Sequence, residues 1–167
     1  MTPLTIIGMG SRLCGDDAIG LAILDALQEE AGSDLELIEG GLDALAALES
    51  MAGRDQVILV DATRMGLDPG SVRVFMADQV NLQVREDHLS LHGIGLSEAL
   101  EMGERLGLLP SNLKIIGIQP LSINVGTGLS EPVQAAIPEV LDLIRTERQL
   151  QHHMTDAYRG TGGIATA

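Results

Sequence analysis

The sequence predicts an α/β fold: a single three-layer domain in which a mainly parallel, twisted sheet carries helices on both faces. Three observations predict it. Short runs rich in Leu, Ile and Val alternate with segments of helical periodicity, in the order β, α, β, α, β. The runs read as strands buried on both faces, and each ends at a Gly, an acid or a Gln-Pro pair. Apolar residues make up 45% of the chain and aromatics only 1%, so the core must be built from aliphatic side chains, which suits helices packed on a sheet. A length of 167 residues lets one such domain bury its core without disulfide or metal staples.

Taken in order, residues 4–8 form the first strand, and Ala18, Leu21, Ala22, Ile23, Leu24 and Leu27 mark the helix that follows. Residues 35–39 are the second strand; Leu42, Leu45, Ala46, Leu48 and Met51 mark the second helix; residues 56–61 are the third strand. Asp68-Pro69-Gly70-Ser71 has the Pro-Gly centre of a type II turn, so residues 72–76 return as a further strand suited to an edge, its pairing direction open. Residues 77–91 are polar and read as a long loop, 94–106 as a helix and 113–118 as a strand. Val133, Ile137, Val140, Leu141 and Ile144 mark the last helix. Parallel strands joined through helices imply right-handed crossovers. The domain is expected to span residues 1–148, with 149–167 a flexible tail that has little to bury.

Composition narrows the function. With 10 basic and 24 acidic residues the formal net charge is −14, which repels a phosphate backbone, so no nucleic-acid partner is expected. No apolar run approaches the roughly 20 residues that a membrane span needs, and residues 1–10 lack the basic segment and cleavage site of a signal peptide. One cysteine, Cys14, cannot form an internal disulfide. The expectation is a cytoplasmic protein without a membrane partner.

In a doubly wound sheet, ligands bind outside the carboxyl ends of the strands. Here those ends are acidic: the first strand leads to Asp16 and Asp17, the second to Glu39-Gly40-Gly41 and the third to Asp61. One of the Asp16-Asp17 pair is expected to cap the following helix; that role is given to Asp16, leaving Asp17 directed at the site, although the sequence also allows the reverse. A carboxylate ending a buried strand is costly unless it is paired or metal-bound, which favours a functional Asp61 over a structural one. His92 follows the polar loop, with His88 in a more charged context; His152 and His153 read as solvated surface residues. A lone histidine is more often structural, but Asp17, Asp61 and His92 together would make an open N/O site for a divalent metal such as nickel or zinc. Neither a G-x-S-x-G elbow nor an H-E-x-x-H helix occurs, and the acidic setting of Cys14 disfavours a thiolate nucleophile.

The run Gly8-Met9-Gly10-Ser11 through Asp16-Asp17-Ala18-Ile19-Gly20 resembles the N-terminal signature of the nickel-iron hydrogenase maturation endopeptidases, which are aspartyl-type proteases. Glu39-Gly40-Gly41, Val60-Asp61-Ala62, Ser90-Leu91-His92, Gly117-Ile118-Gln119-Pro120 and Gly128-Leu129-Ser130 follow in that family's order, covering residues 4–145. The resemblance implies a monomeric enzyme that removes the C-terminal extension of a hydrogenase large-subunit precursor after nickel insertion. It places the metal-binding and catalytic positions on Asp17, Asp61 and His92, with Asp16, Glu39, Gly40 and Gly41 in support. It also implies no organic cofactor and no metal of the enzyme's own: the nickel is carried by the substrate. Docking that nickel between Asp17, Asp61 and His92 is expected to set the scissile bond beside a polarised water, with one carboxylate or a metal-bound hydroxide as base. Three positions depart from the usual pattern: Asp17 where many members have Glu, Glu39 where many have Asp, and Ser11 where Asn is common.

Other readings stand beside it. Gly8-x-Gly10 after a strand, with Glu39 ending the next, suggests a dinucleotide-binding oxidoreductase, but Leu13 fills the third glycine position and Asp16 and Asp17 would oppose the pyrophosphate. A non-catalytic nickel-binding scaffold would use the same acids and histidine without changing its partner's mass. A generic acidic interaction domain leaves the strand-end acids unexplained.

Overall fold

Burial sorts the apolar side chains of the strands into two layers, and the computed structural model, which describes residues 2–76 and 95–160 with side chains as far as His153, shows what covers each. The strands are β1 (Leu4–Met9), β2 (Leu35–Gly41), β3 (Gln56–Ala62), β4 (Val72–Met76) and β5 (Asn112–Ile118), in one sheet of order β2-β1-β3-β5-β4. β1 pairs in parallel with β2 and β3, β3 in parallel with β5, and β4 antiparallel with β5 at the edge. The described helices are α1 (Ile19–Leu27), α2 (Ala44–Met51), α3 (Leu96–Leu106) and α4 (Glu131–Gly160).

Successive strand residues point to opposite faces. Ile6, Ile58, Val60, Ile116 and Ile118 therefore meet Ile19, Ile23 and Leu27 of α1 and Val133, Val140 and Ile144 of α4. Ile7, Val57, Leu59, Leu113 and Ile115 meet Ala47 and Met51 of α2 and Leu100 of α3. This is the expected three-layer α/β arrangement, with an almost wholly aliphatic core. Each fully buried Leu or Ile in it contributes about 1.5–3 kcal/mol from removal of apolar surface from water.

The expected turn is present, with Ser71 N donating to Asp68 O at 3.0 Å, and it delivers β4 to β5 rather than back to β3. α2 starts later than its apolar pattern suggested: Asp43 caps it by accepting from Leu45 N at 2.9 Å, and Leu42 stays exposed. α4 runs through Gly160, so the segment expected to be a flexible tail from residue 149 begins as helix. Polar contacts hold its start, where no apolar pattern signalled order: Gln151 Nε2 donates to Thr2 O at 2.8 Å, and His152 Nε2 lies 3.0 Å from Asp34 Oδ2. His152 is thus a structural partner of Asp34, not merely a solvated residue. The expected loop at 77–91, with His88, and the site residue His92 lie outside the described residues. No described helix is long and apolar enough to cross a membrane.

From β1 the chain moves outward to β2, then crosses to β3 on the opposite side of β1. The connections leaving β1 and β3 thus diverge at their carboxyl ends, which is where a crevice opens in such a sheet.

Candidate active site

β1 runs into a loop wound tightly enough to need glycine. Gly10 has φ 111°, and a Cβ there would lie 1.8 Å from Asp17 O, so no other residue fits. Cys14 N donates to Ser11 O at 3.2 Å and Asp17 N to Cys14 O at 3.1 Å, after which a 3-10 turn (Gly15–Ala18) leads directly into α1. Gly20 lets that helix sit against the sheet: a Cβ on it would be 2.4 Å from Met9 O and 2.6 Å from Val60 O. The close approach brings Asp17, in the 3-10 turn before α1, near Asp61, at the end of β3.

Both acids are buried, Asp17 to 1% exposure and Asp61 to 4%. Asp17 Oδ2 accepts from Ser11 N at 2.9 Å. Asp61 Oδ1 has no hydrogen-bond partner among the described residues. Burial first, and then the neighbouring charge of Asp17, push the Asp61 carboxyl up to about 8 against a hydrogen bond from the Ala62 backbone. The Asp61 carboxyl therefore favours its protonated form at neutral pH. Buried carboxyls shifted in this way at a crevice are suited to proton exchange and to binding a cation.

Asp16 behaves differently from its expected role. Neither the 3-10 turn nor α1 has a side-chain cap. Instead Asp16, at 0% exposure, reaches the β5–α4 connection. Its Oδ2 accepts from Leu121 N at 2.8 Å, Ser122 N at 3.0 Å and Ser130 Oγ at 2.8 Å, and its Oδ1 accepts from Ser130 N at 2.6 Å. Burial works against its ionisation, but these bonds outweigh burial and hold its carboxyl below the ordinary range. Since Ser130 O accepts from Gln134 N in the first turn of α4, Asp16 secures the start of the last helix, not of the first.

Glu39 is exposed and accepts from Arg12 at 2.6 Å, while Arg12 also forks onto Asp25 of α1 at 2.6 and 3.0 Å. Gly40 packs closely on Met9, where a Cβ would meet its Sδ at 2.5 Å, and Gly41 O accepts from Gly10 N at 2.8 Å. These three residues fix the rim where β2 meets the β1–α1 loop. Among the described residues no group of three or more His, Cys, Asp or Glu is arranged to hold a metal; Asp17 and Asp61 are the described part of the expected set, and His92 lies outside it.

A cavity of about 520 Å³, lined by Arg64, Gly66, Gln119, Pro120, Leu121, Ser122, Ile123 and Asn124, opens beyond the ends of β3 and β5. Sequence reasoning gave Arg64 and the 121–124 wall no role. Gln119, a polar residue immediately after a buried strand, was the available signal, because the acids follow their strands in the same way.

Comparison with known proteins follows the same outline. The family model of the hydrogenase maturation proteases matches residues 22–147. The chain is similar to the hydrogenase expression/formation protein HupD of Rhizobium leguminosarum bv. viciae, 29% identical over 83% of this chain and 70% of that one. It is also similar to the hydrogenase 2 maturation protease of Escherichia coli K12, 27% identical over 84% of this chain and 87% of that one. Among solved structures it resembles the hydrogenase maturating endopeptidase HybD from Escherichia coli, at TM-score 0.78 and 27% identity over 89% and 93% of the two chains. The [NiFe] hydrogenase maturation protease HycI from Thermococcus kodakarensis is similar too, at TM-score 0.68 and 26% identity over 86% and 90%.

Proposed function

The chain belongs to the hydrogenase maturation protease family and is a peptide hydrolase, and from that premise we propose that it removes the C-terminal extension of a nickel-iron hydrogenase large-subunit precursor once nickel has been inserted. In this reading Asp17 and Asp61, with His92, receive the nickel seated in the substrate. The observation that carries it is Asp61: a buried carboxyl with one oxygen lacking a partner among the described residues, next to a second buried acid at the switch point of the sheet. A protein rarely leaves such an oxygen unsatisfied unless something else completes it.

Docking the precursor's nickel against the acid pair would displace the Asp61 proton, since two like charges in a dry site favour a counter-cation over ionisation alone. It would also fix the scissile bond beside the pair, and the freed carboxylate would take the proton of the attacking water. The proton then passes to the leaving amine as the peptide separates. Asp16 keeps the two loops around the pair in register, and Arg12 with Glu39 holds the rim. A monomer working in the cytoplasm on a protein partner, without an organic cofactor, belongs to the same reading.

The test is the intact mass of nickel-loaded and nickel-free large-subunit precursor from the same source, followed over time with the purified protein. Loss of one defined C-terminal peptide from the loaded precursor alone is expected. An unchanged mass with the two proteins still associating would move the role to a non-catalytic scaffold.

A further inference from the structure

Arg64 stands out against the charge pattern of the chain. With 24 acidic residues against 10 basic ones, cations have many possible partners. Arg12 pairs with Asp25 and Glu39, Arg54 with Glu36, Lys114 with Glu147, Arg145 with Glu30, and Arg148 with Asp34. Among the described residues Arg64, Arg73 and Arg105 have no such carboxylate. Arg105 lies in the last turn of α3, where a cation meets the helix's C-terminal carbonyls. Arg73 is exposed on the edge strand β4, where a charge discourages pairing with another sheet. Arg64 has neither role; it is exposed, follows Asp61 by three positions and lines the cavity beyond the ends of β3 and β5.

That cavity is built rather than incidental. Gln119 Oε1 accepts from Met65 N at 2.6 Å and Leu67 N at 3.3 Å, clamping the Arg64 loop to the end of β5. Asp16 clamps the facing wall through Leu121 N and Ser122 N. Both walls are thus fixed before a ligand arrives, which lowers the ordering cost of binding. A planar guanidinium on a residue that lines such a cavity matches the two oxygens of a carboxylate. Elsewhere the net charge of −14 repels an anionic group, so a local cation is needed to seat one.

We infer that this cavity is a substrate subsite in which Arg64 binds a carboxylate of the peptide being processed, either an acidic side chain of the extension or its C-terminal carboxylate. The inference rests on the maturation-protease reading above and adds a specificity determinant to it.

The experiment uses the full-length protein, its Arg64→Gln and Arg64→Glu variants, and the nickel-loaded precursor. Three sets of precursor are compared: unaltered, with each acidic residue of the extension replaced by Lys in turn, and lengthened by two glycines at the C-terminus. Arg64→Glu is expected to raise KM about tenfold or more with little change in kcat, Arg64→Gln less, both with unaltered thermal unfolding. One Lys-bearing precursor should restore Arg64→Glu if the partner is a side chain; the lengthened precursor should raise the KM of the wild type if it is the terminal carboxylate. Unchanged KM for both variants, with the wild type cleaving normally, would make Arg64 a solvated surface residue and overturn the inference while leaving the maturation reading intact. If the wild type cleaves nothing, the maturation reading fails and the affinity of the precursor is measured instead. A similar loss of affinity in Arg64→Glu then supports the subsite, and equal affinities overturn it.

Discussion

The seat of Asp16 and the seat of Asp61 are almost equally dry, lie at the same end of the sheet, and hold carboxyls in opposite states. Asp16 faces the β5–α4 connection, which aims three backbone or hydroxyl donors at one oxygen and a backbone donor at the other, and these hold its carboxyl below the ordinary range despite burial. Asp61 sits at a strand end with one oxygen unpartnered among the described residues and a second acid nearby, and its carboxyl is pushed up to about 8. Burial alone therefore does not decide what an acid does. A carboxylate whose oxygens are filled by its own chain is a strut; one left incomplete is available to a substrate.

The largest contrast should come from Asp61→Asn. The folded state keeps the Asp61 proton up to about pH 8, whereas the unfolded chain loses it near the ordinary aspartate value of 3.8. Between those values the folded state binds more protons, so this group's contribution to stability is full below about 3.8 and is lost as pH rises toward 8. Asn cannot ionise and removes that loss. Near pH 7.5 the variant should be more stable by on the order of a few kcal/mol, raising Tm by roughly 5 °C or more, with the gain vanishing in mild acid. Cleavage of loaded precursor should fall by about 100-fold or more. Thermal unfolding across that pH range and intact-mass assays check both parts; a Tm difference that does not change with pH would remove the raised carboxyl from the account.

Asp16→Ala should act in the opposite direction. It strips an acceptor from Leu121 N, Ser122 N, Ser130 N and Ser130 Oγ in one step. Charge-assisted bonds of this kind contribute about 1.5–3 kcal/mol each and do not add fully, so a loss of roughly 3–5 kcal/mol in a denaturant titration is expected. A loss below about 1 kcal/mol would mean that water replaces the carboxylate and that the strut is not one.

The contrast also marks what could be read from the chain alone. The strands and helices were legible because apolar spacing reports burial face by face, as Ile6 against Ile7 and Ile58 against Leu59 show. Placement of Asp61 at a strand end, and of Asp17 in the turn that follows β1, was legible from where each apolar run stops. The partners of Asp16 were not, since Leu121 and Ser130 lie far along the chain and an acid before a helix looks like that helix's own cap. The continuation of α4 past Arg148 was missed for a similar reason: Gln151 and His152 are held by Thr2 and Asp34, and polar anchors leave no periodic trace. Arg64 carried no signal until the fold showed which cations were already paired.

The smallest effect is expected at the rim. Arg12 joins Asp25 and Glu39, but all three side chains are about half exposed, at 47%, 60% and 60%. Exposed ion pairs of this kind are weakened by solvent and by salt. Arg12→Ala should lower Tm only slightly at low ionic strength, with the difference shrinking as salt is raised toward about 1 M, where the screening length falls to about 3 Å and approaches the pair distances. Its effect on cleavage should instead follow the geometry of the loop: Arg12 ties α1 and the end of β2 to the β1–α1 loop that carries Asp17, so a modest fall in kcat with unaltered KM is expected. If KM rises and kcat is unchanged, Arg12 touches the substrate directly, and the division between filled struts and open acids has to be redrawn at the rim.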